Sequence, residues 1–466
     1  MYTKDCTERR RAGALGYTSS TALMNPTTTF QPHPLTLRRI IKTWWPLAAS
    51  WLMMTLAFPA MNAVIARLAD PEINLAAYGS VVHPISLIIE SPIIMLLAAS
   101  TALSKDWASY LKVRRFTHIA AVSLGLLHAL VAFTPLYYFV TRQLLGVPEE
   151  IIEPARLGLM FMTPWTPAIA LRRFQQGAMI RFGHSDAVVV GTVIRLVTYL
   201  LALGVGYSLQ TVPGAVVGAA AQALSVTAEG TYAVLRVRPV LDEIRAAPAV
   251  EPLTWGKFFA FYVPLALTSL MSFLWQPVAS AGLSRMPRAL ESLAVWPVVY
   301  SLVTVLRSFG TAYNEVVVAL MGEPRAHTSL RRFTIGLALS TSGLYLLLMV
   351  TPLAYLYFNQ LSALSQPLSS VAVQGTWILL PIPALVAMQS WYQGVIMHGR
   401  NTRGISESVA IFLATAVLVL AVGVALGRGI GLYYGALAYL LASLAQTAWQ
   451  WLRSRPAMRA ARSESQ

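Results

Sequence analysis

The stretch "RRFTHIAAVSLGLLHALVAFTPLYY", residues 114–138, has a counterpart later in the same chain, "RRFTIGLALSTSGLYLLLMVTPLAY", residues 331–355. Each copy begins with two arginines, runs through an apolar segment and ends on Thr-Pro-Leu, and the copies lie 217 residues apart. An apolar segment of this length is long enough to cross a bilayer as a helix. The pair therefore predicts an internal repeat built from membrane-spanning segments.

The same shift relates other parts of the chain. "QQGAMI" at 175–180 matches "YQGVIM" at 392–397, and Pro46 matches Pro264 at a shift of 218. A nearly constant register over so many segments indicates a duplication. If each copy holds an even number of spans, both copies enter the membrane in the same direction and are related by an axis along the membrane normal.

The composition is that of a membrane protein with many spans. Hydrophobic residues make up 56% of the chain and charged residues 12%, whereas soluble domains carry about 25% charged residues. Apolar segments of spanning length predict twelve spans, at about 43–66, 75–102, 116–140, 155–177, 187–209, 213–235, 256–282, 291–320, 333–358, 369–397, 407–427 and 430–452.

The positive charges predict an orientation rather than a nucleic-acid site. The chain has a formal net charge of +16, but its basic residues fall in short clusters between apolar segments instead of forming one patch. Of the 35 lysines and arginines, 27 lie in one set of loops and 6 in the opposite set. This bias predicts that both termini are cytoplasmic and that the protein resides in the plasma or inner membrane. The single cysteine, Cys6, excludes an intramolecular disulfide and a cysteine metal cluster.

These patterns predict an all-α membrane protein of twelve transmembrane helices, in two parallel six-helix repeats that form two lobes around a central cavity. The polar N-terminal segment is read as disordered, with Met24 as an alternative start. The predicted organisation is a cytoplasmic tail over 1–37, a first lobe over 38–235, a cytoplasmic linker over 236–256, a second lobe over 257–453 and a cytoplasmic tail over 454–466.

Charged and polar residues inside the spans are the candidate site. "SLIIESPIIML", residues 86–96, places Glu90 in the middle of an apolar segment, and a shift of 217 leads from Glu90 to Arg307 in the eighth span. Around them, polar residues recur at helical spacing, on one face of each helix. The predicted substrate-binding residues are Arg307, Glu90, Asn314, Glu315, Thr311 and His83.

Two interpretations of the central charges remain open. In the first, Glu90 and Arg307 face each other across a wet cavity, where Arg307 binds an anionic group of the substrate and Glu90 pairs with it in one state or titrates during transport. In the second, they form a permanent structural ion pair between two helices. Either arrangement would offset the cost of placing charges at this depth.

A second charged pair is predicted within the first lobe. Arg195 in the fifth span and Glu229 in the sixth lie at similar depth, which favours a structural or coupling ion pair over a substrate role. Arg172 and Arg173 are explained by topology at a span end, with a place in an inner vestibule as the alternative. His128 and His83 are each expected to be hydrogen-bonded packing residues rather than proton relays.

Longer stretches of the chain resemble a known superfamily of exporters, over about residues 38–453. The matching segments are "WWPLA" at 44–48, "AAYGSVVHPISLIIESPI" at 76–93, "RRFQQGAMIRFGHSDAVVVGTVIRLV" at 172–197 and "YVPLALTSLMSFLWQPVASAGLSR" at 262–285. They resemble the multidrug/oligosaccharidyl-lipid/polysaccharide (MOP) exporter superfamily, whose best-known branch is the MATE exporters. Within it, the progressive ankylosis family of anion exporters looks closest.

The resemblance implies a secondary transporter that works by alternating access between two lobes. Cation-coupled drug exporters of this type are expected to carry an acidic residue in the first span, or in the seventh and tenth, and this chain has none there. The resemblance therefore implies an anionic substrate such as pyrophosphate, a nucleotide or a citrate-like anion, or a lipid-linked anion moved by a flippase.

The expected partners are the lipid bilayer, the anionic substrate and a coupling ion, either a proton or sodium. No ATP-binding motif is present, so an ion, potential or substrate gradient is expected to supply the energy. No cofactor or metal is expected. Two other classes remain as alternatives: a membrane-embedded enzyme, which would need a catalytic carboxylate or metal cluster in a sizeable loop, and an assembly scaffold.

Overall fold

The computed structural model describes residues 35–248, 252–323, 325–399 and 403–463. These ranges are nearly all helical, and no strand is assigned within them. Most of the tail predicted over 1–37, together with Cys6, lies outside the described residues.

Twelve helical segments follow one another at the places where spans are predicted, which confirms the predicted fold class. In the first repeat they are α1 (Leu37–Ile65), α2 (Pro71–Glu90, resuming as Leu96–Leu103), α3 (Trp107–Phe133), α4 (Glu149–Met162 and Trp165–Arg181), α5 (Asp186–Leu209) and α6 (Gly214–Arg236). In the second they are α7 (Trp255–Phe273 and Trp275–Leu283), α8 (Ala289–Thr311 and Tyr313–Leu320), α9 (Ala326–Val350), α10 (Gln366–Ile378 and Ile382–His398), α11 (Arg403–Leu426) and α12 (Gly431–Ser463).

The helix boundaries recur at the shift that the sequence predicts. Helices α5 and α11 begin and end 217 residues apart, and α1 and α7 begin and end 218 residues apart. Even a short π-helical turn after α3, Phe139–Leu145, recurs after α9 as Leu356–Leu361. The duplication is therefore structural as well as sequential.

By length and composition, nine helices of the described ranges are able to cross a membrane. The most apolar of them are α5 and α11, with mean hydropathies of 2.2 and 2.9, yet only 17% of each is buried inside the protein. Apolar side chains left uncovered in this way are solvated by lipid tails. The protein is a multi-pass membrane protein whose outer helices face lipid.

The two repeats meet where α2 crosses α8. Gly79 and Pro297 occupy equivalent positions in the repeats, and they contact each other: a Cβ atom on Gly79 would lie 2.2 Å from Pro297 Cγ. Equivalent residues touch one another only near a symmetry axis, so this contact marks the pseudo-twofold axis. On the same interface, Ser80 Oγ donates a hydrogen bond to the Leu293 carbonyl over 2.7 Å.

The first halves of α1 and α7 pack against the opposite repeat. Trp44 Nε1 donates to the Phe309 carbonyl over 2.9 Å. At the equivalent positions, the Tyr262 hydroxyl donates to the Pro92 carbonyl. We call the side on which α1 begins and α12 ends the terminal side. There, each lobe is held by a helix from the other.

Part of the predicted linker over 236–256 is helical. Residues Arg238–Ala246 form an amphipathic helix whose Val240 and Ile244 are buried. The linker therefore packs on the protein because its apolar side chains recur one turn apart.

The C-terminal tail is shorter than predicted. Helix α12 continues to Ser463, beyond the predicted span end at residue 452 and into the segment 454–466. Pro456 lies inside this helix. Hydropathy locates the membrane part of a helix, but the backbone hydrogen bonds that extend it past the bilayer do not need apolar residues.

Candidate functional site

A central cavity of about 490 Å³ lies between the two repeats, with walls from α1, α2, α4, α5 and α6 on one side and α7 and α8 on the other. Aromatic and apolar side chains form most of its wall. The charged residues that line it are Arg172, Arg173, Arg195, Arg307 and Glu90. Charged side chains within membrane helices are costly unless they are paired, hydrated or bound to a ligand. Their concentration makes this cavity the candidate site.

Glu90 and Arg307 both line the cavity, but they are not joined by an ion pair in the described ranges. Glu90 is 3% exposed, and its charge interacts with Arg173 and Arg172 of its own repeat. Arg307 donates a hydrogen bond to the Tyr439 hydroxyl of α12. A permanent Glu90–Arg307 ion pair is therefore not what this conformation contains. Their pairing during transport stays a prediction.

Glu229 lies at the centre of the charged cluster in the first repeat. Its Oε2 accepts a hydrogen bond from Arg172 Nη1 over 2.5 Å, and its Oε1 accepts one from Gln176 Nε2 over 2.9 Å. Arg195 Nε lies 3.7 Å from the same Oε2. The structure thus brings the predicted pair Arg195 and Glu229 together, but Arg172 is the closer partner. Buried ion pairs need such additional hydrogen bonds to offset desolvation.

Arg172 and Arg173 are the cavity residues that the sequence interpretation placed at a span end. They lie in the middle of the segment Trp165–Arg181, and Arg172 is only 5% exposed. Arg173 makes no hydrogen bond or ion pair within the described ranges. The repeat shift aligns them with Gln389 and Ser390. This loss of charge in one repeat was the sequence signal for a special role.

Polar atoms without a protein partner surround the cavity. Within the described residues, they are Nε1 of Trp165, Trp275 and Trp296, Nε of Arg172 and Arg173, Nδ1 of His83, Oγ1 of Thr304 and Oε2 of Glu90. Five of these eight atoms are N–H donors, and one belongs to a carboxylate. A buried donor without a partner costs about 1–3 kcal/mol. The set is matched chemically by a ligand rich in hydrogen-bond acceptors.

The predicted polar stripe of α8 continues from this cavity into a neighbouring one of about 250 Å³. Arg307 and Thr311 line both cavities, and Asn314 and Glu315 line the second. The stripe stays continuous although α8 is interrupted at Ala312. Because Glu315 is exposed, the polar path leads from the centre towards the terminal side. The substrate-binding role of these residues remains a prediction.

The two histidines have different environments. His83 lines the central cavity and stacks on Tyr78, with 6.0 Å between ring centroids. His128 is fully buried; its Nδ1 is 2.9 Å from Thr166 Oγ1 and its Nε2 is 3.2 Å from the Leu159 carbonyl. These contacts are those of a packing residue at His128, whereas His83 faces the site.

Two equivalent arginines join the repeats on the side opposite the termini. Arg67, after α1, donates to the carbonyls of Gln360 and Leu361 over 2.5 and 2.7 Å. Arg285, after α7, donates to the three carbonyls of residues 143–145 over 2.8–3.0 Å. We call these contacts the arginine latches and this side the latch side. Each crosses from one repeat to the other.

The latches use carbonyls that helix ends leave free. The π-helical turns that they contact are followed by residues in the left-handed backbone region, Gly146 with φ of 67° and Ala363 with φ of 48°. Such residues end a helix and leave its last carbonyls without helical partners. A guanidinium, with several donors in one plane, satisfies more than one of these carbonyls.

The described helices have the twelve-helix fold of the MATE transporters. An inward-facing multidrug-resistance MATE transporter of the MOP superfamily superposes with a TM-score of 0.64 at 14% identity, over 90% of this chain and 99% of that one. A MOP-superfamily transporter from Pyrococcus furiosus, described as having a binding pocket of reversed polarity, gives 0.61 at 14% identity over 91% and 96%. The lipid II flippase MurJ, in an inward closed conformation, gives 0.58 at 11% identity over 89% and 90%.

At these identities the likeness concerns the fold. No protein-family model matches the sequence, and no curated protein matches it. The MOP-like architecture expected from the sequence is thus confirmed. The narrower resemblance to the progressive ankylosis family is not confirmed by these comparisons and stays a prediction.

Proposed function

We propose that the protein is a secondary transporter that moves an anionic substrate through the central cavity, by alternating access between the two lobes. The observation that carries this proposal is the surplus of cationic and N–H donors in the cavity wall. Four arginines line the cavity with a single glutamate. Arginine stays ionised under all physiological conditions and binds carboxylate and phosphate oxygens through paired N–H groups.

The same charges disfavour a cationic substrate. Arg173 has no ion-pair partner in the described ranges, and Arg307 is bound to a neutral hydroxyl. A cation in this cavity would be repelled by these guanidinium groups in a medium less polar than water. An anion would instead complete their coordination.

The described conformation suits entry from the terminal side. The arginine latches join the lobes on the latch side, and the polar path through Asn314 and Glu315 leads to the other. With the predicted orientation, the terminal side is cytoplasmic and the direction of transport is export. A potential of 100 mV contributes about 2.3 kcal/mol for each charge that crosses, which is enough to bias the direction.

The test is counterflow in liposomes with radiolabelled pyrophosphate, ATP and citrate, and in parallel the translocation of a fluorescent phosphatidic acid. We expect flux of one of these anions, and its loss in Arg307→Ala and Arg173→Gln. Arg142→Gln is the matched control, because Arg142 forms an exposed ion pair with Glu149 outside the cavity. Normal flux in Arg307→Ala and Arg173→Gln would contradict the proposed function.

A flippase for a lipid-linked anion is the second candidate, favoured by a lateral opening of the site that is described below. Both candidates are transporters. Folded protein that moves neither soluble anions nor anionic lipid would favour an assembly scaffold, and a chemically altered substrate would favour an enzyme.

A further inference from the structure

A second cavity of about 300 Å³ lies between α1, α5 and α6. It is a side branch of the central cavity, because the two share Trp51, Thr55, Phe58, Arg195, Gln222 and Thr304. Most of its remaining wall is apolar and comes from Met53, Met54, Ala57, Val193, Leu196 and Tyr199. The site therefore has an apolar extension next to its charged centre.

This second cavity opens towards the bilayer. Met53 of α1 is 52% exposed and Val193 of α5 is 55% exposed, and both belong to helices that are long and apolar enough to span a membrane. The Tyr199 hydroxyl donates to the Ala57 carbonyl over 3.3 Å and closes the opening on the latch side. Apolar side chains at such a mouth meet lipid tails.

Arg195 lies where the two cavities join. It makes no hydrogen bond within the described ranges, and its side chain is 20% exposed. Glu229 does not require it, because Arg172 and Gln176 already bind the two carboxylate oxygens. Arg195 is nine residues into α5, or about 14 Å along the helix at 1.5 Å per residue. A guanidinium with free donors is thus held at the depth of the acyl chains, next to a lateral opening.

We propose that the second cavity holds a hydrocarbon chain of an anionic membrane lipid, whose phosphate group is bound by Arg195 and the central arginines. This inference rests on the proposed function and narrows its substrate to a lipid rather than a soluble anion. The shared wall lets one molecule occupy both cavities, since Arg195 contacts the charged and the apolar part. It also gives α1 and α5 the role of a lateral entrance.

The test uses the full-length protein in phosphatidylcholine nanodiscs that contain a small fraction of phosphatidic acid with a photoactivatable acyl chain. After illumination, the labelled residues are mapped by mass spectrometry. We expect labelling of Met53, Met54, Val193 and Leu196 to be enriched over that obtained with the matching phosphatidylcholine probe. An excess of pyrophosphate should reduce it, since both ligands use the same arginines.

Variants separate this cavity from the general lipid surface. Val193→Trp fills the mouth, and Arg195→Gln removes the cation; each should lower the labelling of Leu196 about tenfold, whereas a loss of this size corresponds to a modest change in affinity. Val197→Trp is the matched control, because Val197 is 50% exposed on α5 and lines neither cavity. Circular dichroism and gel filtration verify that each variant folds.

The outcomes separate this inference from the proposed function. Labelling that is equal for both lipid probes, or unchanged in Val193→Trp and Arg195→Gln, would overturn the lipid inference, even if soluble anions were transported. Enriched labelling together with normal flux in Arg307→Ala and Arg173→Gln would support the lipid site and contradict the proposed transport mechanism. An adventitious annular lipid would label α5 without sensitivity to pyrophosphate, which also overturns the inference.

Discussion

At the scale of single residues, Glu229 shows how a buried carboxylate is kept in a membrane helix. It is bound by one guanidinium and one amide and lies near a second guanidinium. In the second repeat, the positions equivalent to Arg172 and Glu229 are Gln389 and Gln446. The fold itself therefore accepts neutral amides here, and the charges belong to the first repeat alone.

We expect Glu229→Gln to destabilise the protein by about 3–5 kcal/mol, because it leaves Arg172 as a buried charge without its partner. The thermal unfolding midpoint in detergent, followed by circular dichroism, would measure this. The double variant Arg172→Gln with Glu229→Gln, which copies the second repeat, should recover part of the loss. A double variant no more stable than Glu229→Gln would contradict the explanation.

A second prediction at this scale concerns Gly79. Its missing Cβ allows α2 to approach Pro297 of α8, so Gly79→Ala should force the two helices apart and cost about 1–3 kcal/mol by overpacking. The unfolding midpoint checks this. Gly336→Ala in α9 is the control, since no atom lies within 4 Å of the Cβ it would add; equal effects of both substitutions would refute the argument.

At the scale of helices and turns, the arginine latches connect the end of one helix to the end of a turn in the other repeat. Hydrogen bonds to a charged group contribute about 1.5–3 kcal/mol, and exposure to water reduces this. Two equivalent latches make opening on the latch side depend on breaking both. They are thus suited to hold one conformation without preventing the change to another.

We therefore expect Arg67→Ala and Arg285→Ala to shift the protein towards opening on the latch side. In a Cys6→Ser background with Ser301→Cys, a membrane-impermeant thiol reagent applied from the latch side should react about tenfold faster in each variant, corresponding to about 1.4 kcal/mol. Arg142→Ala is the control, because its ion pair with Glu149 stays within one repeat. Unchanged reactivity in both latch variants would show that other contacts hold this side closed.

At the scale of the whole molecule, the two repeats behave as related bodies that meet at α2 and α8 and exchange the first halves of α1 and α7. Alternating access requires the lobes to part on the latch side. A link between lobes there should stop transport, whereas a link within one lobe should not.

This can be tested by joining Arg67→Cys and Gln360→Cys with a reducible bifunctional thiol reagent in the Cys6→Ser background. We expect the flux to fall to background and to return after reduction. The control joins Arg142→Cys and Glu149→Cys, which lie in one repeat. Full activity with the lobes linked would exclude rocking of the lobes as the mechanism.

Much of the fold is predictable from the sequence, because hydropathy and repetition act locally. The shift of 217 between "RRFT" at 114–117 and at 331–334 already relates helices that the structure superimposes in order. Apolar segments need lipid wherever they occur, so the number of spans follows without knowledge of their packing. The break at Ala312 and the helical linker are decided by contacts that no local pattern contains.

The candidate site is predictable in part. The repeat links Glu90 to Arg307, and both line the central cavity, as do His83 and Thr311. The partners of these charges were not predictable, since the contact of Glu229 with Arg172 joins residues 57 positions apart on different helices. Arg307 binds Tyr439 for the same reason.

The sequence alone determined the membrane class, the twelve spans, the duplication and the presence of charges at its centre, because each depends on composition or on spacing along one chain. Only the tertiary structure decided which charges pair, which donors remain free in the cavity, where the cavity opens towards lipid and how arginines join the lobes. These properties depend on distances between side chains of different helices, and such distances are set by packing rather than by position in the sequence.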